Sequence, residues 1–230
     1  MDTQRAIELL RQTQLFGDLA EDVLEHLAER ALKRNYSKGQ LVFYQGDPAG
    51  SLFVMVEGLV KVFVTSEDGD EMVLVTLQPH DVFGELALLD GGPRSASAEA
   101  VEQSVLLELQ REPFLDVLHK RPGITEALML SMGRVLRRLT EQAADLVFLD
   151  LHGRVAKLLV TMAQDRGVET DNGVELDLQL TQTDLAGLVG GSRQSVNQIL
   201  KSFENRGYLD MVGRKMIVKQ PALLKRRAGL

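Results

Sequence analysis

Cysteine is absent from the 230-residue chain. The missing thiols exclude disulfides, cysteine-ligated iron–sulfur clusters, thiolate zinc sites and cysteine nucleophiles. Histidine is nearly as scarce: His26, His80, His119 and His152 lie far apart and show no ligand spacing, so no metal is expected. No apolar run approaches the roughly 20 residues a membrane helix requires, so no membrane partner is expected. The first ten residues are polar and acidic rather than basic and then apolar, which favours a cytoplasmic location. No arrangement of Ser, His and Asp, no metal cluster and no nucleotide-hydrolysing loop recommends an enzyme.

What is present fits a folded chain of two domains: 44% apolar residues, 26% charged residues and a length above one typical domain. The net charge of -7 is unevenly spread. Residues 1–150 hold 14 basic against 25 acidic side chains, and residues 151–230 hold 12 against 8. From Arg193 onward 9 are basic and 2 acidic. An acidic module joined to a basic one is the asymmetry expected when only one part approaches a polyanion, although a solvated basic tail would look the same.

Asp18 and Glu21 form a capping-box-like pair ahead of Val23, Leu24, Leu27, Ala28 and Leu32 at helical spacing, which predicts an early helix. The period then changes. Leu41–Tyr44, Ser51–Val56, Leu59–Thr65, Glu71–Leu77 and Ser97–Leu109 are short β-rich runs separated by Gly, Pro and Asp, the pattern of a β-sandwich or jelly roll. A short helix is expected near Pro113–His119. From Pro122 to about Leu149, Leu128, Met132, Val135, Leu139, Gln142, Leu146 and Leu149 alternate spacings of four and three, an a/d seam. A helix of about 28 residues would be about 42 Å long, more than a small β domain covers, and a parallel two-chain coiled coil resolves this. A single helix packed on its own domain is the alternative. Asp150 is a candidate N-cap for the next helix, making Leu149–Gly153 a candidate hinge, and Asp171-Asn172-Gly173 reads as a hairpin turn.

Thr181 and Asp184 form a cap signature for a helix through Val189, Gly190-Gly191 ends it, and Ser192 opens another whose buried face is Val196, Ile199, Leu200 and Phe203. Two short helices around a Gly turn make a helix-turn-helix. The second presents Arg193, Gln194, Ser195, Asn197, Gln198, Lys201 and Ser202 outward, a long-armed face without acid, as a helix in a major groove requires. Arg193 suits a guanine edge, and Gln194 or Gln198 suits adenine. Thr181, Thr183, Ser192, Lys201 and Lys215 complete the candidate DNA contacts, the lysines and Thr181 as phosphate contacts. Gly207–Val218, with Tyr208, Leu209, Gly213, Arg214 and Lys215, reads as a β-wing. Helical hairpins with polar faces also occur in proteins that never touch DNA, so this pattern alone leaves both readings open.

Two motifs resemble those of the cyclic-AMP receptor protein and FNR superfamily of bacterial transcription regulators. Phe83-Gly84-Glu85-Leu86 followed by Pro93-Arg94-Ser95-Ala96-Ser97 resembles its phosphate-binding cassette. Leu180–Leu209 resembles its helix-turn-helix, with Phe148-Leu149-Asp150 and Gly153-Arg154-Val155-Ala156 resembling the hinge and the helix after it. The resemblance implies an α+β fold: an N-terminal effector-sensing β-roll of jelly-roll, cyclic-nucleotide-binding type (1–121), a long coiled-coil dimerisation helix and hinge (122–150), and a C-terminal winged helix-turn-helix (151–230). It further implies a homodimer on a near-palindromic double-stranded operator, RNA polymerase as partner, and an effector such as cAMP, cGMP or cyclic di-GMP. Gly84, Glu85, Leu86, Arg94, Ser95, Leu139 and Thr140 are the matching effector positions. The last two replace a Thr-Ser pair that contacts adenine in cyclic-AMP-responsive members, and Leu139 cannot hydrogen-bond a base. Gln194 and Gln198 replace a Glu and an Arg of the family recognition helix. A regulator working without effector, an internal Glu85–Arg94 salt bridge in place of a nucleotide site, and a ligand-binding module whose C-terminal helices contact protein are the competing readings.

Overall fold

The computed structural model describes residues 2–120, 122–213 and 215–230, so Arg214 of the expected wing lies outside the described residues. Helices α1 (Thr3–Arg11) and α2 (Glu21–Ala28) precede strands β1 (Leu32–Tyr36), β2 (Leu41–Phe43), β3 (Ser51–Glu57), β4 (Val60–Thr65), β5 (Glu71–Leu77) and β6 (Val82–Phe83). A short helix α3 (Leu86–Asp90) leads to β7 (Ser97–Ala100) and β8 (Ser104–Gln110), then to α4 (Arg111–Lys120) and α5 (Pro122–Phe148). The remainder is α6 (Leu151–Arg166), β9 (Val168–Thr170), β10 (Gly173–Asp177), α7 (Gln182–Val189), α8 (Arg193–Asn205), β11 (Leu209–Val212), β12 (Lys215–Val218) and α9 (Pro221–Arg227). The chain divides into two compact units, one running up to Val64 and including Leu74–Arg138, the other comprising Thr65–Val73 and Leu139–Leu230.

In the first unit one sheet has the order β1-β8-β3-β6 and a second the order β2-β7-β4-β5. Strand β3 is buried on both faces, which is why Leu52-Phe53-Val54-Met55 reads as a continuous apolar run rather than an alternation. Phe53, Met55, Leu106 and Phe83 point between the sheets with Val60 and Ala98. Leu52, Val54, Leu107 and Leu109 point the other way, onto Leu10, Phe16, Leu24, Leu27, Phe114 and Ile124 of the helical layer, where Phe16 and Phe114 meet edge to face.

Three expectations are corrected here. Helix α2 starts at Glu21 with Ala20 at its N-cap and no side-chain cap, so Asp18 does not cap it. Leu32 is not on a helix; it is an exposed residue of β1, a strand that Lys33-Arg34-Asn35 disguised and that its register with β8 forms. The run Ser97–Leu109 is two strands, separated by a turn at 101–103.

The residues of the expected seam on α5 differ in exposure. Leu128 is 5% exposed and belongs to the core of its own unit, whereas its neighbour Met129 is 67% exposed. Met129, Met132, Leu136, Leu139, Ala143 and Leu146 keep the three-and-four spacing of a coiled-coil seam and are all exposed. Leu136 is 66% exposed and Val135 42%.

In the second unit the sheet order is β11-β12-β10-β9, with Asp171 and Asn172 turning between β9 and β10. Asp150 caps α6 by accepting from Gly153 N at 2.8 Å, and the same carboxylate pairs with Arg227 of α9, an element the sequence reading did not anticipate. The Gly153 N–H first, and then Arg227, hold the Asp150 carboxyl below the usual carboxylate range. Stability from a depressed carboxylate is present above the ordinary range and is lost as pH falls through the lowered value. Asp150→Ala is therefore expected to cost about 1 kcal/mol near neutral pH, with the difference from the parent shrinking in acid. Chemical denaturation of both proteins across pH checks this, and a difference independent of pH would refute it.

Candidate functional site

The cassette is built around Gly84. Its φ of +80° lies in the left-handed region, which favours glycine, and a Cβ placed there would stand 2.7 Å from Arg94 Nη1 and displace the guanidinium. The chain then enters α3 through Glu85 and leaves it at Gly91, and the loop brings Arg94 back beneath Gly84.

Arg94 is 5% exposed. Its Nη1 donates to the Gly84 carbonyl at 2.7 Å and its Nη2 to the Ser51 carbonyl at 2.6 Å. The guanidinium lies over the Phe43 ring, 4.2 Å from the centroid, and Nε has no hydrogen-bond partner. Burial lowers the Arg94 pKa, partly offset by the charges of Asp47, Glu108 and Glu85. The Glu85–Arg94 salt bridge is not formed, because the terminal nitrogens are given to backbone carbonyls instead. Glu85 is half-buried and its pKa is raised by that burial, against smaller lowering from a backbone hydrogen bond and from Arg94. Leu86 and Ser95 are exposed. Leu139 and Thr140, both exposed on α5, belong to the second unit.

At the other site, Thr181 and Asp184 make a complete capping box. Thr181 Oγ1 donates to Asp184 Oδ2 at 2.6 Å and accepts from Asp184 N at 3.1 Å, so its hydroxyl is committed to the cap. The phosphate-facing groups left at this helix start are backbone N–H donors and the exposed Thr183. Gly190 closes α7 in the left-handed conformation with φ +63°. Ser192 accepts from Ser195 N and pairs with its hydroxyl at 2.8 Å, which fixes the first turn of α8. Val196, Ile199, Leu200 and Phe203 are buried as the spacing predicts. Opposite them Gln194, Gln198 and Lys201 form an exposed i, i+4, i+7 stripe with Arg193 exposed beside it. Asn197 is half-buried, its carbonyl accepting from Gln182 at 3.4 Å, and so belongs to the helix pair as much as to the outer face. Lys215 on the wing is exposed and paired with Glu175 at 2.6 Å, which raises its pKa.

Arg154, in the sequence only one residue of the motif after the hinge, holds the two helix ends together. It donates to the carbonyl of Leu149, just beyond the end of α5, and to those of Val189 and Gly190 at the end of α7. Lys157 pairs with Asp145 of α5 at 2.6 Å. The two-residue break between α5 and α6 is thereby tied to the turn of the helix-turn-helix.

Residues 33–121 match the cyclic nucleotide-binding domain family, and residues 153–227 match the Crp-like helix-turn-helix domain family. The chain is 33% identical over 96% of its length, and over 99% of the other's, to the CRP-like cAMP-activated global transcriptional regulator of Mycobacterium tuberculosis. It is 32% identical to the cyclic AMP receptor protein of Thermus thermophilus, covering 94% of this chain and 97% of that one. Among solved structures it is similar to the c-di-GMP responsive global regulator CLP of Xanthomonas campestris, with a TM-score of 0.77 and 25% identity over 86% of this chain and 99% of that one.

Proposed function

Because the chain belongs to the cyclic-AMP receptor protein and FNR superfamily of DNA-binding transcription regulators, we propose that it works as a homodimer whose cassette binds a cyclic nucleotide and thereby controls the helix-turn-helix. It is a regulator and not an enzyme, as its relatives are. In this proposal residues 1–121 sense the effector, 122–150 form the dimerisation helix and hinge, and 151–230 bind DNA.

The observation that carries the effector reading is the position of Arg94. A buried guanidinium held by two neutral carbonyls, with a third donor unmatched, gains when a phosphate replaces those carbonyls, since charge-assisted bidentate pairs are about twice as strong as neutral ones. Ser95 and the backbone that Gly84 opens supply further donors, and Glu85 can accept from a ribose hydroxyl. Of the two α5 positions the family resemblance assigns to the base, Leu139 can offer only apolar contact and Thr140 a hydroxyl. The named relatives differ here: two are a cAMP-activated regulator and a cyclic AMP receptor protein, and CLP is c-di-GMP responsive.

Calorimetric titration with cAMP, cGMP and cyclic di-GMP tests the proposal. One of them is expected to saturate one site per chain, and Arg94→Ala is expected to weaken it about 10- to 100-fold, the loss of a charge-assisted hydrogen-bond pair of roughly 1.5–3 kcal/mol. No saturation by any of the three, or saturation untouched in Arg94→Ala, overturns it.

On DNA, two copies of α8 would enter successive major-groove turns about 34 Å apart, which requires a near-palindromic operator. Arg193, Gln194 and Gln198 read bases, while Lys201, Lys215 and the start of α7 hold phosphates. Bound to a promoter, the dimer contacts RNA polymerase. Selection from random DNA is expected to return a half-site changed from the family consensus where Gln194 and Gln198 face it, with adenine favoured. Recovery of the unchanged consensus would refute that assignment.

A further inference from the structure

Between Lys215 and Leu230 the chain holds five basic side chains and no acid. These residues do not form a free tail. Helix α9 opens with Pro221 at its first position, and the chain entering it is tied to the Tyr208 carbonyl, which accepts from Lys219 N at 3.0 Å and Gln220 N at 3.2 Å. Leu224 and Ala228, four positions apart, are buried and fix one face of the helical turn. Three of the five cations already have acids: Lys215 pairs with Glu175 at 2.6 Å, Lys219 with Asp210 at 2.8 Å and Arg227 with Asp150 at 2.5 Å. Lys225 and Arg226 are exposed, and among the described residues no acid pairs with either. Two like charges side by side repel each other, a cost that a polyanion removes.

Their place in the second unit is set by close contacts. A Cβ on Gly153 would stand 3.4 Å from the Arg227 carbonyl, so the last turn of α9 lies against the first turn of α6. A Cβ on Gly191 would stand 2.7 Å from the Leu151 side chain, so that same turn of α6 lies against the turn between α7 and α8. His152 of that turn meets Phe203 of α8 edge to face. The cations of α9 are thus separated from the start of the recognition helix by one turn of α6, and the N-terminal end of such a helix is the end that meets base edges. The intervening turn carries no acid, and Asp150 before it is already paired with Arg227. A surface without an unpaired acid therefore runs from Arg193 to Arg226.

We propose that Lys225 and Arg226 form a further phosphate-contact patch, extending the DNA interface from the helix-turn-helix across the start of α6 to α9. The partner is the sugar–phosphate backbone beside each half-site, and the patch adds affinity without reading bases. The inference rests on the reading of α8 as a recognition helix.

Fluorescence anisotropy of the full chain at several salt concentrations tests it, with two probes: an operator duplex recovered by selection and a duplex of unrelated sequence. Neutralising both charges in the double variant Lys225→Gln, Arg226→Gln is expected to reduce the slope of log affinity against log salt by about 3–4 for a dimer, at about 0.9 per phosphate contact. The loss of affinity between about 50 and 200 mM salt then shrinks about a hundredfold, on both duplexes alike. Preference for the operator is unchanged, and the exchange Lys225→Arg, Arg226→Lys, which keeps both charges, restores the parent slope. Arg206→Gln, at the opposite end of α8, controls for the loss of a charge in general. A slope that the double variant leaves unchanged overturns the proposal, as does a change per charge no greater than that of Arg206→Gln. Loss of operator preference in the double variant overturns it too, because the two residues would then act on the fold of the helix-turn-helix. The two readings fail in different ways. A parent that binds neither duplex overturns both, whereas a parent that prefers its operator, with an unchanged slope in the variant, overturns the α9 patch alone.

Discussion

Phe203→Ala is expected to destabilise the second unit by about 3–5 kcal/mol, the largest effect of any single truncation there. Phe203 is 1% exposed, sits on α8 among Val196, Ile199 and Leu200, and meets the rings of His152 at 6.3 Å and Tyr208 at 5.8 Å. It therefore joins α6, the recognition helix and the start of the wing through one side chain. Truncation leaves a cavity that neither ring can fill, and α8 loses the contact that points Gln194, Gln198 and Lys201 outward. Since folded domains have only about 5–15 kcal/mol in hand, the unit would be partly unfolded at physiological temperature and operator binding would fall with it. The chain has no tryptophan, so urea unfolding is best followed by far-UV circular dichroism. A cost below about 1.5 kcal/mol, the range of a tolerated core swap, would show that this ring does not hold the unit together.

The second large effect concerns the proposed dimer. Leu136→Glu is expected to weaken self-association by at least a hundredfold, with operator affinity falling in step. Each copy loses about 1.5–3 kcal/mol of burial, and the two-fold axis sets the new carboxylates face to face. Two copies thus lose roughly 3–6 kcal/mol, or about 10²- to 10⁴-fold. The same change at Val135 is expected to do less, because Val135 is the less exposed of the two, 42% against 66%. Sedimentation equilibrium on both variants separates the registers. Dissociation by Val135→Glu and not by Leu136→Glu would restore the register read from spacing alone.

That one-residue difference shows what the sequence could and could not convey. Spacing alone admits either neighbour at alternate seam positions, since Leu128 and Met129, or Val135 and Leu136, are equally apolar. In the proposed dimer the choice falls to the first unit's core, which buries Leu128 and leaves Met129 exposed. Locally determined features were readable. The capping box at Thr181, the left-handed Gly190 and the buried face of α8 depend on residues within a few positions of one another. The motif around Arg94 was also legible, but its inward pose was not, because it rests on the carbonyl of Ser51, 43 positions away. Strand β1 itself is held by its register with β8 rather than by its own apolar content.

Arg154 has a further consequence for how the protein changes state. One guanidinium grips the carbonyl just beyond α5 and two carbonyls at the end of α7. A turn of the α5 end that keeps these bonds carries α7 with it, and α7 leads directly into the recognition helix through Gly190-Gly191. The input and output of the proposed switch thus share one side chain.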